Sequence, residues 1–189
     1  SPALDQSWTV QNQDFSVGIS NGSVATITDS AGDVGSYNSI ALGPDGFARI
    51  SYYDTSNGDL KYARCTNADC SGKVITLVDS AGDVGYRYTS IQIASDGFAR
   101  ISYYDESNKD LKFARCLNDG CTSKNLTIID GASPVKDIGQ FSSMMLGADQ
   151  FGRISYYTIS NGDLKFARCL DADCTSKNIT TVDSTGDVG

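Results

Sequence analysis

The 189-residue chain contains no histidine. That excludes serine–histidine–aspartate and cysteine–histidine catalysis, histidine-ligated zinc and imidazole pH sensing within these residues. Glutamate is almost as scarce: Glu106 is the single one, so nearly all the acid is aspartate. Aspartate serves turns, because its short side chain bonds its own backbone and tolerates left-handed conformations. Basic charge is in short supply as well. Fifteen Lys and Arg against 23 acidic residues leave a net charge of −8, so nucleic acid and anionic membrane would both repel the chain. No apolar run approaches the ~20 residues of a membrane span, and no basic-then-apolar leader stands at Ser1. The start at Ser1-Pro2-Ala3-Leu4 therefore reads as a processed end, with any membrane anchor removed or carried by another chain. No segment shows a helical period.

What is present is repetition. The phrase Phe47-Ala48-Arg49-Ile50-Ser51-Tyr52-Tyr53 returns at Phe98 to Tyr104 and, with Gly152 in place of Ala48, at Phe151 to Tyr157. Asp59-Leu60-Lys61-Tyr62-Ala63-Arg64-Cys65 returns at Asp110 to Cys116 and at Asp163 to Cys169 with Phe113 and Phe166 in place of Tyr62. Gly35 to Gly85 is 50 residues, Gly85 to Gly139 is 54 and Gly139 to Gly189 is 50. The longer middle interval comes from one extra residue near Tyr86 and three in the following loop. A fixed period of this size means one supersecondary unit stacked on copies of itself, since one unit alone cannot bury its apolar faces.

Within the first repeat, Tyr37 to Gly43 alternates β-branched and small residues and ends at Pro44-Asp45-Gly46, a turn signal. Phe47 to Asp54 is the strongest strand, rich in aromatic and β-branched residues. Asn57-Gly58 supplies the positive φ values of a tight hairpin. Leu60 to Cys65 and Lys73 to Val78 complete the unit, and Asp79 to Gly85 leads onward. Four short antiparallel strands per repeat of about fifty residues match a β-propeller blade. The expected fold is an all-β, propeller-type array of three full blades (about 35–84, 85–138 and 139–189) as one continuous domain. Residues 1–34 form a divergent capping unit. In it Ser20 to Gly35 aligns with Cys174 to Gly189, which makes Val24 to Thr28 a fourth strand, and Trp8 to Gln11 and Phe15 to Ile19 read as further strands.

The six cysteines fall as three Cys-x4-Cys pairs at one point of each repeat. A metal site drawn from two pairs is the alternative, but the repeat spacing keeps equivalent positions apart. One local disulfide per repeat is expected: Cys65–Cys70, Cys116–Cys121 and Cys169–Cys174. Such a pattern places the protein outside a reducing cytosol. Asn21, Asn125 and Asn178 stand in glycosylation patterns.

The blade wording, Ile50-Ser51-Tyr52-Tyr53-Asp54 followed by Asn57-Gly58-Asp59-Leu60-Lys61-Tyr62-Ala63, resembles a family of tandem-repeat β-propellers in secreted and surface proteins of bacteria and archaea. The resemblance covers residues from about 20 onward and implies a propeller with an extracytoplasmic life. It implies no reaction. The Asp-box of sialidase-type propellers, Ser-x-Asp-x-Gly-x-x-Trp, has no match, and Trp8 is the sole tryptophan.

A residue kept in every repeat is first a packing requirement, so Arg49, Arg100 and Arg153 are expected to be structural. A convergent arginine cluster for a carboxylate is the functional alternative. The loops bounded by Asp29/Asp33, Asp79/Asp83, Asp130/Asp137 and Asp183/Asp187 read as Asx-stabilised turns, with a hard cation such as Ca²⁺ as the alternative and no other cofactor called for. These loops and the Asn57-Gly58 hairpin are expected on one face, together with Tyr37, Tyr53, Tyr86 and Tyr88, a mixture suited to sugars or a protein partner. Ligand candidates are Tyr53, Tyr86, Tyr88, Asp54 and Asp105. The copies differ at Thr158, at 131–136 and at Tyr86-Arg87-Tyr88, which break the pseudo-symmetry. The functional expectation is a non-catalytic extracellular subunit or decoration of a surface layer or filament, such as a pilus-like appendage. It would assemble with other chains, itself or a separate anchoring subunit, through incomplete propeller edges. A lectin-like glycan-binding module is the alternative and a sialidase-type glycosidase the more distant one.

Overall fold

The computed structural model describes residues 28–131 and 136–188, and among them every regular element is a strand. The expected strands over 8–11 and 15–19 lie outside these residues, as do Asn21 and all but Thr28 of the strand expected over 24–28.

Three four-stranded antiparallel sheets follow one another along the chain. The first contains β1 (Val34–Leu42), β2 (Ala48–Asp54), β3 (Asp59–Cys65) and β4 (Lys73–Asp79). The second contains β5 (Val84–Ile93), β6 (Ala99–Asp105), β7 (Asp110–Cys116) and β8 (Lys124–Asp130). The third contains β9 (Ile138–Leu146), β10 (Gly152–Thr158), β11 (Asp163–Cys169) and β12 (Lys177–Asp183). Each sheet is a meander with its strands side by side in chain order. The turn chemistry explains this. In the first hairpin Gly58 takes φ +73°, and the Asp54 carboxylate receives the Asn57 amide at 3.1 Å and its side-chain nitrogen at 2.9 Å. Lys109 occupies the same left-handed position in the second sheet with φ +61°.

The first strand of the unit starts at Val34, earlier than the Tyr37 expected from alternation. The reason is a bulge. Pairing of β1 with β2 slips between Val34, Ser36 and Ser39, and β5 slips against β6 between Val84 and Thr89. An interruption that looks like a loop in sequence is absorbed within the strand.

The apolar core lies between sheets. Leu60, Tyr62 and Val78 of the first sheet bury Val84, Ile91, Ile101 and Tyr103 of the second. Leu111, Phe113 and Ile129 of the second meet Ile138, Met144, Ile154 and Tyr156 of the third in the same pattern. Each such side chain taken from water contributes roughly 1.5–3 kcal/mol. β5 thus packs on β1, β2 and β3, and β9 on β5, β6 and β7.

A polar clamp accompanies each junction. Tyr103 and Lys112 both donate to Asp79 Oδ2, at 2.8 and 2.5 Å. Tyr156 and Lys165 do the same to Asp130 at 2.7 and 3.0 Å, and Tyr52 and Lys61 of the first sheet make the same contact with Asp29, ahead of β1, at 2.8 and 3.1 Å. Arg64 pairs with Asp119 and Arg115 with Asp173 across the same junctions. Disulfides join Cys65 to Cys70, Cys116 to Cys121 and Cys169 to Cys174.

Candidate functional site

The leading strands β1, β5 and β9 carry an unusual feature at their bulges: aromatic residues in left-handed backbone. Tyr37 has φ +52°, Tyr88 +81° and Phe141 +53°, with Arg87 beside them at +54°. Bulky side chains rarely occupy this region, since Cβ crowds the neighbouring carbonyl. The bulge turns each ring out of the alternating pattern and onto one line of contact. Tyr37 meets Tyr86 and Tyr88 with ring centroids 5.3 and 5.4 Å apart. Tyr88 meets Phe141 at 5.3 Å, Phe141 meets Tyr157 at 6.2 Å, and Tyr53 closes on Tyr86 at 5.6 Å. Six rings from three sheets form one continuous row. Tyr88 and Phe141 at its middle are 47% and 48% exposed, so the row presents apolar surface to solvent.

Polar groups frame it. Beside Tyr88 and Phe141 runs an open groove of about 340 Å³, lined also by Asn38, Ser39, Ser90 and Ser143. Ser39 Oγ accepts the Ile91 amide at 3.2 Å and Ser90 Oγ the Met144 amide at 3.0 Å, which holds both oxygens in place and leaves each hydroxyl its own hydrogen to donate. The Tyr53 hydroxyl donates to Asp83 at 2.7 Å, and burial together with that carboxylate pushes the phenol well above its usual range. Tyr157 donates to Asp187. The Arg87 guanidinium sits 5.2 Å from the Tyr86 ring centroid and donates to Gln140 Oε1 at 3.0 Å.

The structure brings Tyr53, Tyr86 and Tyr88 together with Tyr37, beside the hairpin and aspartate loops: Gly58 lies against Asp83, and the Thr55 amide donates to the Asp33 carbonyl. Phe141 and Tyr157 belong to the same row and escaped the sequence reading. The available signal was that Phe141 stands two residues after Gly139, as Tyr37 stands after Gly35. Asp54 and Asp105 lie elsewhere. They are 0% and 1% exposed and fastened to Asn57 and Lys61, and to Asn108 and Lys112, so they hold hairpins and do not face the row.

The aspartates considered for a cation divide their work between loop and neighbouring sheet. Asp29 and Asp79 take tyrosine and lysine from the next sheet, while each also accepts a loop amide, from Ala31 and Ala81. Asp83 and Asp187 receive tyrosines, the Asp33 amide is capped by Ser56, and exposed Asp183 accepts the Thr185 amide. Among the described residues no group of three metal-ligating side chains converges. Arg49, Arg100 and Arg153 do not converge either. Each ties down its own turn: Arg49 donates to the carbonyls of Phe47, Ala48 and Cys65 and pairs with Asp45, and the other two repeat the pattern. Asn125 donates its amide to Asp173, and Asn178 is exposed on β12.

No family model and no curated protein matches the chain. Solved structures do. A protein of unknown function from Dyadobacter fermentans matches with TM-score 0.59 and 12% identity, over 79% of this chain and 42% of its own. A bifunctional GH43-CE protein from Bacteroides eggerthii matches with TM-score 0.51 and 13% identity, over 78% of this chain and 19% of its own. A fucose lectin from Kordia zhangzhouensis, solved with methyl-fucoside, gives TM-score 0.44 and 12% identity over 78% of this chain and 99% of its own. The first two share a fold with this chain, which spans less than half the length of either. These observations define an all-β protein of three serially stacked antiparallel sheets.

Proposed function

We propose that the chain is a non-catalytic, extracytoplasmic, propeller-type module that binds carbohydrate on the aromatic row. The observation that carries this reading is the exposure of Tyr88 and Phe141 in left-handed backbone beside fixed serine hydroxyls. An aromatic face stacks on the C–H face of a sugar ring, while neighbouring hydroxyls and amides take its hydroxyls, the usual division of labour in small-molecule sites. Strained backbone concentrated at one place is a further mark of a site. The absence of histidine and the engagement of the aspartates in loops and tyrosine or lysine contacts support binding without turnover. Local disulfides support an oxidising compartment. Calorimetric titration with a panel of oligosaccharides tests the proposal. The double variant Tyr88→Ala/Phe141→Ala should lose at least tenfold in affinity with an unchanged melting temperature. Failure of the wild-type protein to bind any member at millimolar concentration would overturn it, and release of product would overturn the non-catalytic part.

A second reading, a subunit of a surface layer or filament, has its own observation. Val182 on β12 is 59% exposed, whereas its counterparts Val78 and Ile129 are each 2% exposed beneath the next sheet. Such a face suits a further sheet from another chain. Light scattering across a concentration series tests it: a strictly monomeric protein at all concentrations would remove self-assembly through this face.

A further inference from the structure

The exception among the arginines is Arg87. Five of the seven, Arg49, Arg64, Arg100, Arg115 and Arg153, have an aspartate within ion-pair distance. Arg168 has none among the described residues and stands exposed on β11. Arg87 also has none among the described residues, yet it is half-buried and sits in the middle of the aromatic row. It is the residue inserted in the second repeat: Gly35-Ser36-Tyr37 and Gly139-Gln140-Phe141 correspond to Gly85-Tyr86-Arg87-Tyr88. The insertion holds two successive non-glycine residues, Arg87 and Tyr88, at positive φ. That arrangement costs roughly 1–2 kcal/mol per residue.

The guanidinium is also aimed. Gln140 is 2% exposed and receives Arg87 Nη1 on Oε1. Its own amide nitrogen is spent on both oxygens of Asp137 at 3.1 Å, and Asp137 is fixed in turn by the Tyr104 hydroxyl at 2.6 Å. One edge of the guanidinium is therefore anchored and one face lies near the Tyr86 ring. A guanidinium has five N–H donors in a planar fork, which matches a carboxylate bidentately. The nearby Glu106 does not fill that role, since it pairs with Lys109.

We infer that the row takes a sugar bearing a carboxylate, with Arg87 receiving the carboxylate and the flanking rings stacking the sugar. This rests on the carbohydrate reading above. The rim of the site carries Asp83, Asp137 and Asp187, so a densely charged polyanion fits poorly. An isolated or terminal uronic or sialic acid residue places its one charge at the arginine of the row, which has no carboxylate in ion-pair distance among the described residues.

The test uses matched pairs: sialyllactose against lactose, and a glucuronate-capped xylo-oligosaccharide against the uncapped one, titrated calorimetrically in low salt. The expected result is at least tenfold tighter binding of one carboxylated member than of its neutral partner. Arg87→Gln should abolish the difference while leaving the neutral affinity and the melting temperature unchanged. Arg87→Lys, which keeps the charge without the fork, should retain part of it. Equal binding within both pairs, or a preference that survives in Arg87→Gln, overturns the role of Arg87 and leaves the carbohydrate reading standing. No binding of any member overturns both.

Discussion

Tyr103 and Lys112 meet on one oxygen, Oδ2 of Asp79, at 2.8 and 2.5 Å, across the junction of the first and second sheets. Lys112 also lies 3.4 Å from Asp105, so one ammonium serves two carboxylates that are almost wholly shielded from water. Such an arrangement stands only while every member has its partner, because an unmatched buried charge is costly. Tyr103→Phe, which removes one hydrogen bond to a charged acceptor, should lower the unfolding free energy by about 1.5–3 kcal/mol. Lys112→Met should cost more, about 3–5 kcal/mol. Urea denaturation measures both, and a neutral Lys112→Met would show that the clamp adds nothing.

Stability should be flat through neutral pH and fall at both ends. The chain has no histidine, the one side chain whose ordinary pKa lies between about pH 5 and 8. At the acid end burial works against the charge of Asp29, yet the Ala31 amide, the Tyr52 hydroxyl and Lys61 hold its carboxyl below the usual value. Asp54 and Asp96 are lowered in the same way, by Lys61 with Asn57, and by the Phe98 amide with Arg100. Asp59, raised by burial and by Asp54, works in the opposite sense. Folded values below the unfolded carboxyl near about 3.9 mean that this stabilisation is complete above it and lost as pH falls further.

At the alkaline end burial pushes Tyr62 up to about 12. Tyr52, Tyr104 and Tyr156 go higher, by burial and then by the carboxylate each one bonds. Folded values above the unfolded phenol near about 10 leave stability intact below that pH and erode it above. Melting temperature against pH should show a plateau with two shoulders, and phenolate absorbance of these tyrosines should appear together with unfolding. A steep slope between pH 6 and 8 would contradict this account.

Gly35 and Gly139 are equivalent in the repeat and should respond differently to alanine. Both have strongly positive φ, +100° and +104°. A Cβ on Gly35 meets nothing within 4 Å among the described residues, whereas one on Gly139 falls 2.6 Å from the Leu111 Cβ. Gly35→Ala should cost only the conformational penalty, about 1–2 kcal/mol. Gly139→Ala adds overpacking at the second junction, typically about 1–3 kcal/mol more. Equal losses in thermal denaturation would mean that the junction yields easily.

Reduction offers a further check. Each disulfide spans a sequence separation of 5, and closing so short a loop stabilises by about 2 kcal/mol in the chain-entropy model. Cys116→Ser/Cys121→Ser should lower the unfolding free energy by about that amount while the far-ultraviolet spectrum stays that of a β protein. Collapse of the spectrum at room temperature would mean that the bridges hold far more than their loops.

Much of the fold is legible in the sequence because strand and turn residues repeat in step: the Asn57-Gly58 hairpin, the Phe47 to Asp54 strand and the cysteine pairs stand at fixed offsets. The bulges were harder to read. Nothing in Gly35-Ser36-Tyr37 states that the chain stays paired through them, since a slipped register and a loop look alike in composition. The tyrosine cluster could be placed from hairpin geometry, but Phe141 was hidden by being the one non-tyrosine at its position. Asp54 resembled a surface acid, yet it is sealed beneath Lys61 of the adjacent strand and Asn57 of its own hairpin. Burial between repeats depends on which faces meet, and a single repeat does not contain that information.

The sameness of the two junctions also bears on inheritance. If residues 85–138 were lost in frame, Val84 would be followed by Gly139, and Asp79 would face Tyr156 and Lys165 in place of Tyr103 and Lys112. Leu60, Tyr62 and Val78 would cover Ile138, Met144, Ile154 and Tyr156, a set they already match in kind. A duplication would be accommodated just as readily. Unequal crossing-over between the repeats of the gene can therefore lengthen or shorten such a protein without inventing a contact.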